Sequence, residues 1–394
     1  MKIFNKNEWK KVKLGDVCEV ITGNTPLKKI EEYWNKDEVP FITPPELKYE
    51  GINYITPNIY VSKIGAKQGR IIPKNSICVC CIGSLGKLGI LKEDAITNQQ
   101  INSLILKDKN VDLLYLYFYL KTIKNNLESI ASSTTVKIIN KSSFEKIEIS
   151  LPNLEIQKKI SKKLELLENN IKLRKSQLVF LKELTKSLFT RMFGTPEYNE
   201  KGWNFISLKD ISYTKGEYGS NKPAINYNGG YRYIRITDIN ATGELKTEKV
   251  GVSDEEIEAQ KYALKENDIL FARSGATVGK NFLYNKKYGK CIFAGYLIRF
   301  KLNPHLISTK YLKIYLDTNY YWNWVKNCQN IVAQPNINAK QYGEDLKIML
   351  PPIELQNKFA ERIEKIEKLK FEIEKSIEMA QNLYNSLISK YFDN

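Results

Sequence analysis

The glycine-containing segments of this sequence are where catalytic chemistry would first be expected. Gly275-Ala276-Thr277-Val278-Gly279-Lys280-Asn281 resembles a phosphate-binding loop, but it is one residue too short and has Asn281 where a magnesium-binding Ser or Thr is required. The segment at residues 83–87 is shorter still. With one histidine, His305, and no clustered carboxylates, the sequence offers neither a nuclease metal site nor a general acid/base pair. We therefore predict a non-enzymatic chain that binds no cofactor itself.

Polar loops that combine basic, hydroxyl, amide and tyrosine side chains indicate a different chemistry, the recognition of nucleic acid. Such groups suit phosphate oxygens and base edges, because Arg pairs with guanine, Asn or Gln with adenine, and hydroxyls with either. In the first half of the chain the candidates are Asn24, Thr25, Lys28, Lys29, Thr43, Lys67, Arg70, Ser84 and Lys87. In the second half they are Lys215, Tyr218, Ser220, Asn221, Lys222, Arg235, Arg273, Thr277 and Lys280. Any one of them is more typical of a solvated surface, whereas the set is typical of DNA readout.

The charge of the chain points the same way, with one reservation. The formal net charge is +17, from 61 basic and 44 acidic residues, which favours a polyanionic partner. A composition rich in Lys, Asn, Ile and Tyr could produce the same excess without any such partner. Arginines are the better signal, and Arg232, Arg235, Arg273 and Arg299 all fall in one stretch of the second half.

Composition also limits the class of protein. A chain of 394 residues, 42% hydrophobic, can form two ordinary domains. It has no apolar run of 18 residues, and its N-terminus lacks the features of a signal peptide, so we expect a cytoplasmic protein with no membrane association. The six cysteines lack a pair of C-x-x-C motifs and are expected to be buried free thiols.

The elements that must position the candidate residues occur twice. Trp9-x-x-Val12-x-Leu14-Gly15-Asp16 returns about 195 residues later as Trp203-x-x-Ile206-x-Leu208-Lys209-Asp210, and Leu151-Pro152-x-Leu154-Glu155-Ile156-Gln157 returns as Leu350-Pro351-x-Ile353-Glu354-Leu355-Gln356. A period of this length indicates two copies of a complete domain. We predict an α+β fold with a globular domain at residues 1–152, a helix at 153–193, a second domain at 194–351 and a second helix at 352–394.

Each predicted helix carries a coiled-coil seam, with apolar residues at alternating steps of three and four. The first seam comprises Ile160, Leu164, Leu167, Ile171, Leu178, Leu181 and Leu188, and the second comprises Phe359, Ile363, Ile366, Ile373, Ile377, Ala380, Leu387 and Tyr391. Pairing between two chains remains an alternative. Antiparallel pairing within one chain, with pseudo-two-fold symmetry, explains more simply why one helix follows each domain.

The ordered repetition of these motifs resembles the specificity subunit of type I restriction-modification systems, and the resemblance covers the whole chain. It rests on the duplicated tryptophan and Leu-Pro-x-x-Glu-x-Gln motifs, on Gly23-Asn24-Thr25-Pro26, and on the Arg-x-Gly-x-x-x-Gly element at residues 273–279. In that family two target-recognition domains each read half of a bipartite DNA site, and the two helices form an antiparallel spacer. The first copy has Cys81-Ile82-Gly83-Ser84-Leu85-Gly86 in place of the arginine element, so the two half-sites should differ.

The resemblance also implies partners. Two methyltransferase subunits would dock on the spacer helices and methylate adenine with S-adenosylmethionine, while this chain binds double-stranded DNA and supplies the target. Whether restriction subunits with endonuclease activity also join is left open. A different alternative, a two-domain coiled-coil scaffold that binds other proteins, predicts no sequence preference on DNA.

Overall fold

The computed structural model describes residues 6–131, 136–240, 243–253, 256–329 and 336–393. The chain forms two compact units. Unit 1 comprises Met1–Gln177 with Ile373–Asn394, and unit 2 comprises Leu178–Glu372. Two helices of 40 residues each, α6 and α10, contribute one half to each unit.

Unit 1 is built on a four-stranded antiparallel sheet in the order β2-β8-β5-β6, with a smaller sheet in the order β4-β3-β7 and a separate pair β1-β9. Its strands are β1 Lys10–Lys13, β2 Cys18–Thr22, β3 Val39–Ile42, β4 Tyr60–Val61, β5 Ile77–Cys80, β6 Leu88–Ile90, β7 Ile96–Thr97, β8 Ile101–Leu106 and β9 Glu148–Leu151. Its helices are α1 Leu14–Val17, α2 Lys63–Ala66, α3 Leu113–Thr122, α4 Lys124–Ile130, α5 Lys141–Glu145 and the first part of α6 Leu154–Phe193.

Unit 2 repeats this plan with a four-stranded antiparallel sheet in the order β11-β18-β15-β16, and β13 pairs with β17 in parallel as β3 does with β7. Its strands are β10 Asn204–Ser207, β11 Glu217–Tyr218, β12 Ala224–Asn226, β13 Arg232–Ile234, β14 Val250–Val252, β15 Asp268–Ala272, β16 Asn281–Leu283, β17 Cys291–Phe293, β18 Leu297–Lys301 and β19 Lys347–Leu350. Its helices are α7 Glu256–Lys261, α8 Thr309–Tyr315, α9 Asn319–Gln329 and the first part of α10 Ile353–Phe392.

The aromatic helix of each unit packs as core, as its apolar composition predicts. In unit 1 the Tyr115 hydroxyl donates to the Ser150 carbonyl at 2.6 Å, and in unit 2 the Tyr311 hydroxyl donates to the Met349 carbonyl at 2.7 Å. The sequence predicts such a helix from Leu113 to Ile123 and again from Tyr311 to Tyr321. The second prediction was wrong, because the helix does not run on to Tyr321. It ends at Tyr315, where the Thr318 hydroxyl bonds the Tyr315 carbonyl, and α9 begins at Asn319. A hydroxyl that bonds nearby backbone competes with continued helix at this point.

The glutamine of the Leu-Pro-x-x-Glu-x-Gln motif anchors each long helix to its own unit. The Gln157 side chain accepts from the Asp112 amide and donates to the carbonyls of Asn110 and Pro152. The Gln356 side chain makes the same three bonds, to the Ser308 amide and the carbonyls of Leu306 and Pro351. Both glutamines are fully buried, and buried amides need such partners. The motif therefore fixes where the globular part meets its helix.

The two helices pack against each other in antiparallel fashion, which confirms the predicted seam. In unit 1, Ile160 and Leu164 near the start of α6 share a core with Tyr384 and Tyr391 near the end of α10. In unit 2, the Phe193 ring at the end of α6 lies 5.2 Å from the Phe359 ring near the start of α10. The helix α6 ends before Gly194, whose positive φ of 81° is a common helix-stop conformation.

Across the described ranges, no helix is long and apolar enough to cross a membrane. All six cysteines are free thiols, and only Cys328 is not fully buried.

Candidate nucleic-acid interface

A short turn joins the loops that carry the candidate residues of unit 1. We call residues 98–100, between β7 and β8, the connecting turn of unit 1. The Asn98 amide bonds the Ile42 carbonyl at the end of β3, and the Cys81 amide bonds the Gln100 carbonyl. The Thr25 hydroxyl donates to the Gln99 side chain at 2.7 Å. Three chain segments that are distant in sequence therefore meet at this turn.

The connecting turn of unit 2, residues 294–296 between β17 and β18, has the same two backbone connections and one more. The Ala294 amide bonds the Ile234 carbonyl at the end of β13, and the Gly295 amide bonds the Ser220 carbonyl. The Arg273 amide bonds the Tyr296 carbonyl, as the Cys81 amide bonds that of Gln100. The two units thus join different loops to their connecting turns through two corresponding backbone hydrogen bonds.

A glycine after β2 in unit 1, and another after β11 in unit 2, permits the loops to meet at the connecting turn. A Cβ on Gly23 would lie 2.1 Å from the Thr97 carbonyl oxygen, and one on Gly219 would lie 2.2 Å from the Phe293 carbonyl oxygen. No side chain fits at such a distance. Gly23 and Gly219 therefore let the loops that contain them lie directly against the strand before the connecting turn.

The first loop of unit 1 is held by its neighbours. Asn24 donates to the Gln68 carbonyl at 2.6 Å, and Arg70 donates to the Thr22 carbonyl at 2.5 Å. The structure therefore brings the loop at residues 23–26 against the segment at residues 67–70, so Asn24, Thr25 and Arg70 lie in one region. Arg70 is exposed and its remaining donors can reach a ligand.

The hairpin turn of unit 1 carries Ser84 and Lys87, both half-buried. The Lys87 ammonium lies 5.6 Å from the centre of the exposed Tyr49 ring, and the Lys124 ammonium lies 4.3 Å from it. Two lysines beside one exposed tyrosine form a positive, aromatic surface suited to a phosphate backbone.

The strand-end residues Thr43 and Arg235 occupy corresponding positions, and an acidic residue caps both. Glu46 accepts from the amide and hydroxyl of Thr43. Asp238 accepts from the Arg235 amide and from two guanidinium nitrogens, at 2.9 to 3.0 Å. Hydrogen bonding to Asp238 raises the pKa of the Arg235 guanidinium. Two of the five guanidinium N–H donors of Arg235 are therefore already used within the protein.

Two other arginines of this stretch are structural. Arg232 is buried and donates to the carbonyls of Lys246 and Glu248. Arg299 is buried, pairs with Glu217 at 2.7 Å and lies 3.7 Å from Asp268. Neither can reach a ligand, so the clustering of arginines in the sequence overstates the number available for DNA.

Arg273 differs from these three arginines. Its guanidinium carbon lies 4.8 Å from the centre of the Tyr218 ring, so the structure brings two of the predicted residues into contact. The Tyr218 hydroxyl accepts from the Ala339 amide at 3.1 Å, which fixes the ring. Within the described residues the Arg273 Nε is buried and has no hydrogen-bond partner.

The remaining candidates fall into two groups. Ser220, Asn221, Lys222, Thr277 and Lys280 lie on the loops around the unit 2 connecting turn, where a Cβ on Gly295 would come within 2.1 Å of the Asn221 side-chain oxygen. The second group consists of exposed lysines whose side chains make no hydrogen bond or ion pair to any described residue: Lys28, Lys29, Lys67 and Lys215. They can contribute positive charge, and nothing in the structure assigns them to a base.

Sequence reasoning missed the connecting turns themselves. Gln99 is exposed in unit 1, and the Tyr296 side chain is 62% exposed in unit 2. Tyr49 and Lys124 were also missed. A usable signal was the polar run Asn98-Gln99-Gln100 between two apolar strands, because a short polar run at such a place is expected to form the turn that joins the strands. Among the described residues no group of His, Cys, Asp and Glu could hold a metal ion.

Comparison with known proteins agrees with this architecture. The family model for the type I restriction modification DNA specificity domain matches residues 6–183 and 200–380. The chain is 31% identical over 299 residues to the type I restriction enzyme MjaIX specificity subunit of Methanocaldococcus jannaschii, covering 69% of this chain and 67% of that protein. It is 26% identical over 408 residues to the MjaVIII specificity subunit of the same organism, covering 95% and 92%. The crystal structure of the S subunit of a type I system from M. genitalium has the same fold, with a TM-score of 0.64, 16% identity, and coverage of 100% and 98%.

The chain thus has two repeated α+β units on paired helices, with polar loops that meet at one turn in each unit. The chain belongs to the family of type I restriction-modification specificity subunits. It recognises DNA as one subunit of a larger complex, in which catalysis resides in other subunits.

Proposed function

We propose that this chain reads an asymmetric, two-part DNA target, one half through each unit, and directs adenine methylation by partner subunits that bind S-adenosylmethionine. The observation that carries the proposal is the pair of connecting turns. Two of their backbone hydrogen bonds match, while the side chains around them differ. A shared framework with different side chains suits two readers of two different half-sites.

The division of labour within each unit follows from its side chains. Lysines contact phosphates without regard to sequence, so they contribute affinity that weakens with salt. Base discrimination comes from the few fixed polar groups near the connecting turn, at about 1–3 kcal/mol for a good bidentate contact. The candidate lists of the two halves, from Asn24 to Lys87 and from Lys215 to Lys280, are proposed in these two roles.

We propose further that two methyltransferase subunits dock on the long helices. Apolar side chains outside the seam support this idea. In unit 1, Leu166 and Leu173 of α6 are exposed, seven residues apart and thus on one helix face. In unit 2, Phe180 and Leu184 of α6 and Phe371 of α10 are exposed. Exposed apolar patches mark protein interfaces. Restriction subunits, where the host encodes them, would join the same complex, and a cytoplasmic location follows because the DNA target is there.

The test is adenine methylation across the genome of a host that carries the partner methyltransferase gene with or without this chain. An asymmetric two-part motif that appears only with the chain supports the proposal. If no motif appears while both proteins are expressed, the chain does not direct methylation.

The docking proposal has its own test in the double variant Leu173→Asp/Phe180→Asp. We expect it to lose co-purification with the methyltransferase subunit. Lys162→Gln/Lys182→Gln, two exposed polar changes on the same helix, is the matched control and should retain the partner. Equal retention by both double variants would contradict docking through Leu173 and Phe180. The mass of the purified complex would report the number of partner subunits.

A further inference from the structure

The four arginines between residues 232 and 299 of unit 2 differ in which guanidinium donors remain available. Arg232 and Arg299 are buried among protein acceptors, and Arg235 donates through Nε and one Nη2 hydrogen to Asp238. Arg273 alone of the four makes no side-chain hydrogen bond or ion pair to any residue that the structure describes. Among the described residues it is therefore the arginine of this group whose terminal nitrogens have no protein acceptor.

The surroundings of Arg273 fix its position without using its terminal donors. Its amide bonds the Tyr296 carbonyl, and its carbonyl accepts from the Ile337 amide at 2.8 Å. The guanidinium stacks on Tyr218, which is held by pairing with Ile298 and by the Ala339 amide. Stacking uses the face of the guanidinium and leaves its edge available. Because Nε is buried, only the two terminal nitrogens can reach a ligand, and they form an end-on fork.

We propose that Arg273 is a specificity-determining residue through which unit 2 reads one guanine, with its terminal nitrogens donating to O6 and N7. This inference rests on the proposed function. A guanine presents two adjacent acceptors in the major groove, which match a planar fork better than a single phosphate oxygen does. The stack on Tyr218 orients the fork before DNA arrives, so less rotamer freedom is lost on binding.

Unit 1 cannot read the same base at the corresponding position. Cys81 has the same backbone bonds, from its amide to the Gln100 carbonyl and to its carbonyl from the Ile139 amide. Its side chain is 2% exposed, and burial raises the pKa of the thiol to about 12. A buried neutral thiol offers no fork to a base. The guanine read by Arg273 should therefore have no counterpart at the corresponding position of the other half-site.

The test compares methylated motifs in a host that expresses the partner methyltransferase with wild-type chain or with Arg273→Lys, which keeps the charge and loses the fork. We expect one half of the wild-type motif to contain a G·C pair that Arg273→Lys no longer requires. Methylation at sites with another base there should rise about tenfold or more relative to sites with the full motif. Lys286→Gln, an exposed charge change in the same unit, is the control and should leave every position of the motif unchanged.

A second pair of variants covers the case in which Arg273→Lys fails to accumulate. Tyr218→Leu removes the stack and should relax the same motif position, while Tyr218→Phe keeps the ring and should relax it less. The inference is overturned if Arg273→Lys or Tyr218→Leu leaves the motif identical, weakens all sites equally, or relaxes a different position. A wild-type chain that yields no motif would instead refute the proposed function, so the two failures are distinguishable.

Discussion

Cys81 of unit 1 and Arg273 of unit 2 occupy the same place in two copies of one framework, yet they do opposite things. Each amide bonds a carbonyl of its connecting turn, and each carbonyl accepts from an isoleucine amide, Ile139 or Ile337. One side chain is a buried thiol and the other a guanidinium stacked on Tyr218. The comparison teaches that duplication preserved the backbone that presents a side chain, while the side chain itself was free to change.

The same contrast extends to the helices, and it gives the largest expected effect. Glu168 of α6 pairs with Lys121 in a site where the two side chains are only 10% and 13% exposed. Glu367, at the corresponding position of α10, pairs with Lys310 and is 55% exposed. We expect Glu168→Leu to destabilise unit 1 by about 3 kcal/mol, because the mostly buried Lys121 ammonium loses its only carboxylate partner among the described residues and keeps only the Gly51 carbonyl and the Tyr384 hydroxyl as acceptors. Glu367→Leu should cost unit 2 less than about 1 kcal/mol.

The measurement is hydrogen-exchange mass spectrometry of peptides from α3 and α8, which reports the opening of each unit separately. Equal losses of protection in the two variants would mean that the two pairs are equivalent despite their different burial.

The next prediction tests the backbone framework that the two units share. Gly23→Ala and Gly219→Ala should each destabilise their own unit by about 1–3 kcal/mol, because the added Cβ meets a backbone carbonyl that cannot move aside. Gly343→Ala is the control, since its Cβ would find its nearest neighbour at 3.5 Å. Urea unfolding of the three variants would check the prediction. A large difference between the two loop variants would break the equivalence of the frameworks.

Alkaline pH should destabilise unit 1 more than unit 2, by a smaller amount than the variants above. Burial raises the pKa of Cys18, Cys78 and Cys81 in unit 1 to about 12, and that of Cys291 in unit 2 to about 11. A thiol whose folded pKa exceeds its unfolded value near 9.0 contributes stability that is present below pH 9 and is lost as pH rises toward the folded pKa. Between pH 8.5 and 9.5 we expect a loss of about 0.7 kcal/mol per thiol, and thus a larger loss in unit 1.

Hydrogen exchange of β5 and β15 peptides at the two pH values, corrected for intrinsic rates, would show this difference. The double variant Cys78→Ala/Cys81→Ala should reduce it. If unit 2 loses as much protection as unit 1, the thiols are not its cause.

The smallest expected effect sharpens the comparison most directly. Cys81→Ala should leave the methylated motif unchanged, because the thiol does not reach the surface, and should cost unit 1 about 1 kcal/mol in packing. Motif sequencing beside Arg273→Lys is the measurement. A changed base in the half-site read by unit 1 would show that Cys81 takes part in recognition after all.

Much of the fold could be predicted because its signals are local or periodic. The seam from Ile160 to Leu188 is visible as spacing, and the proline before each helix marks its start. The break between α8 and α9 was missed, because it depends on the hydrogen bond from the Thr318 hydroxyl to the Tyr315 carbonyl. Such a bond does not show in the spacing of apolar residues. The contact of three chain segments at each connecting turn was missed as well, because its hydrogen bonds join residues that are far apart in sequence, such as 42 and 98.

By itself the sequence determined the duplication, the antiparallel helix seam and the kind of side chain placed on the loops, because each depends on residue type at a fixed spacing. Only the tertiary structure decided how many guanidinium donors each arginine keeps for DNA. Arg299 is neutralised by Glu217, and Arg273 is oriented by Tyr218, in both cases by a residue many positions away. The role of a charged side chain depends on which acceptors surround it, and folding brings those acceptors from distant parts of the chain.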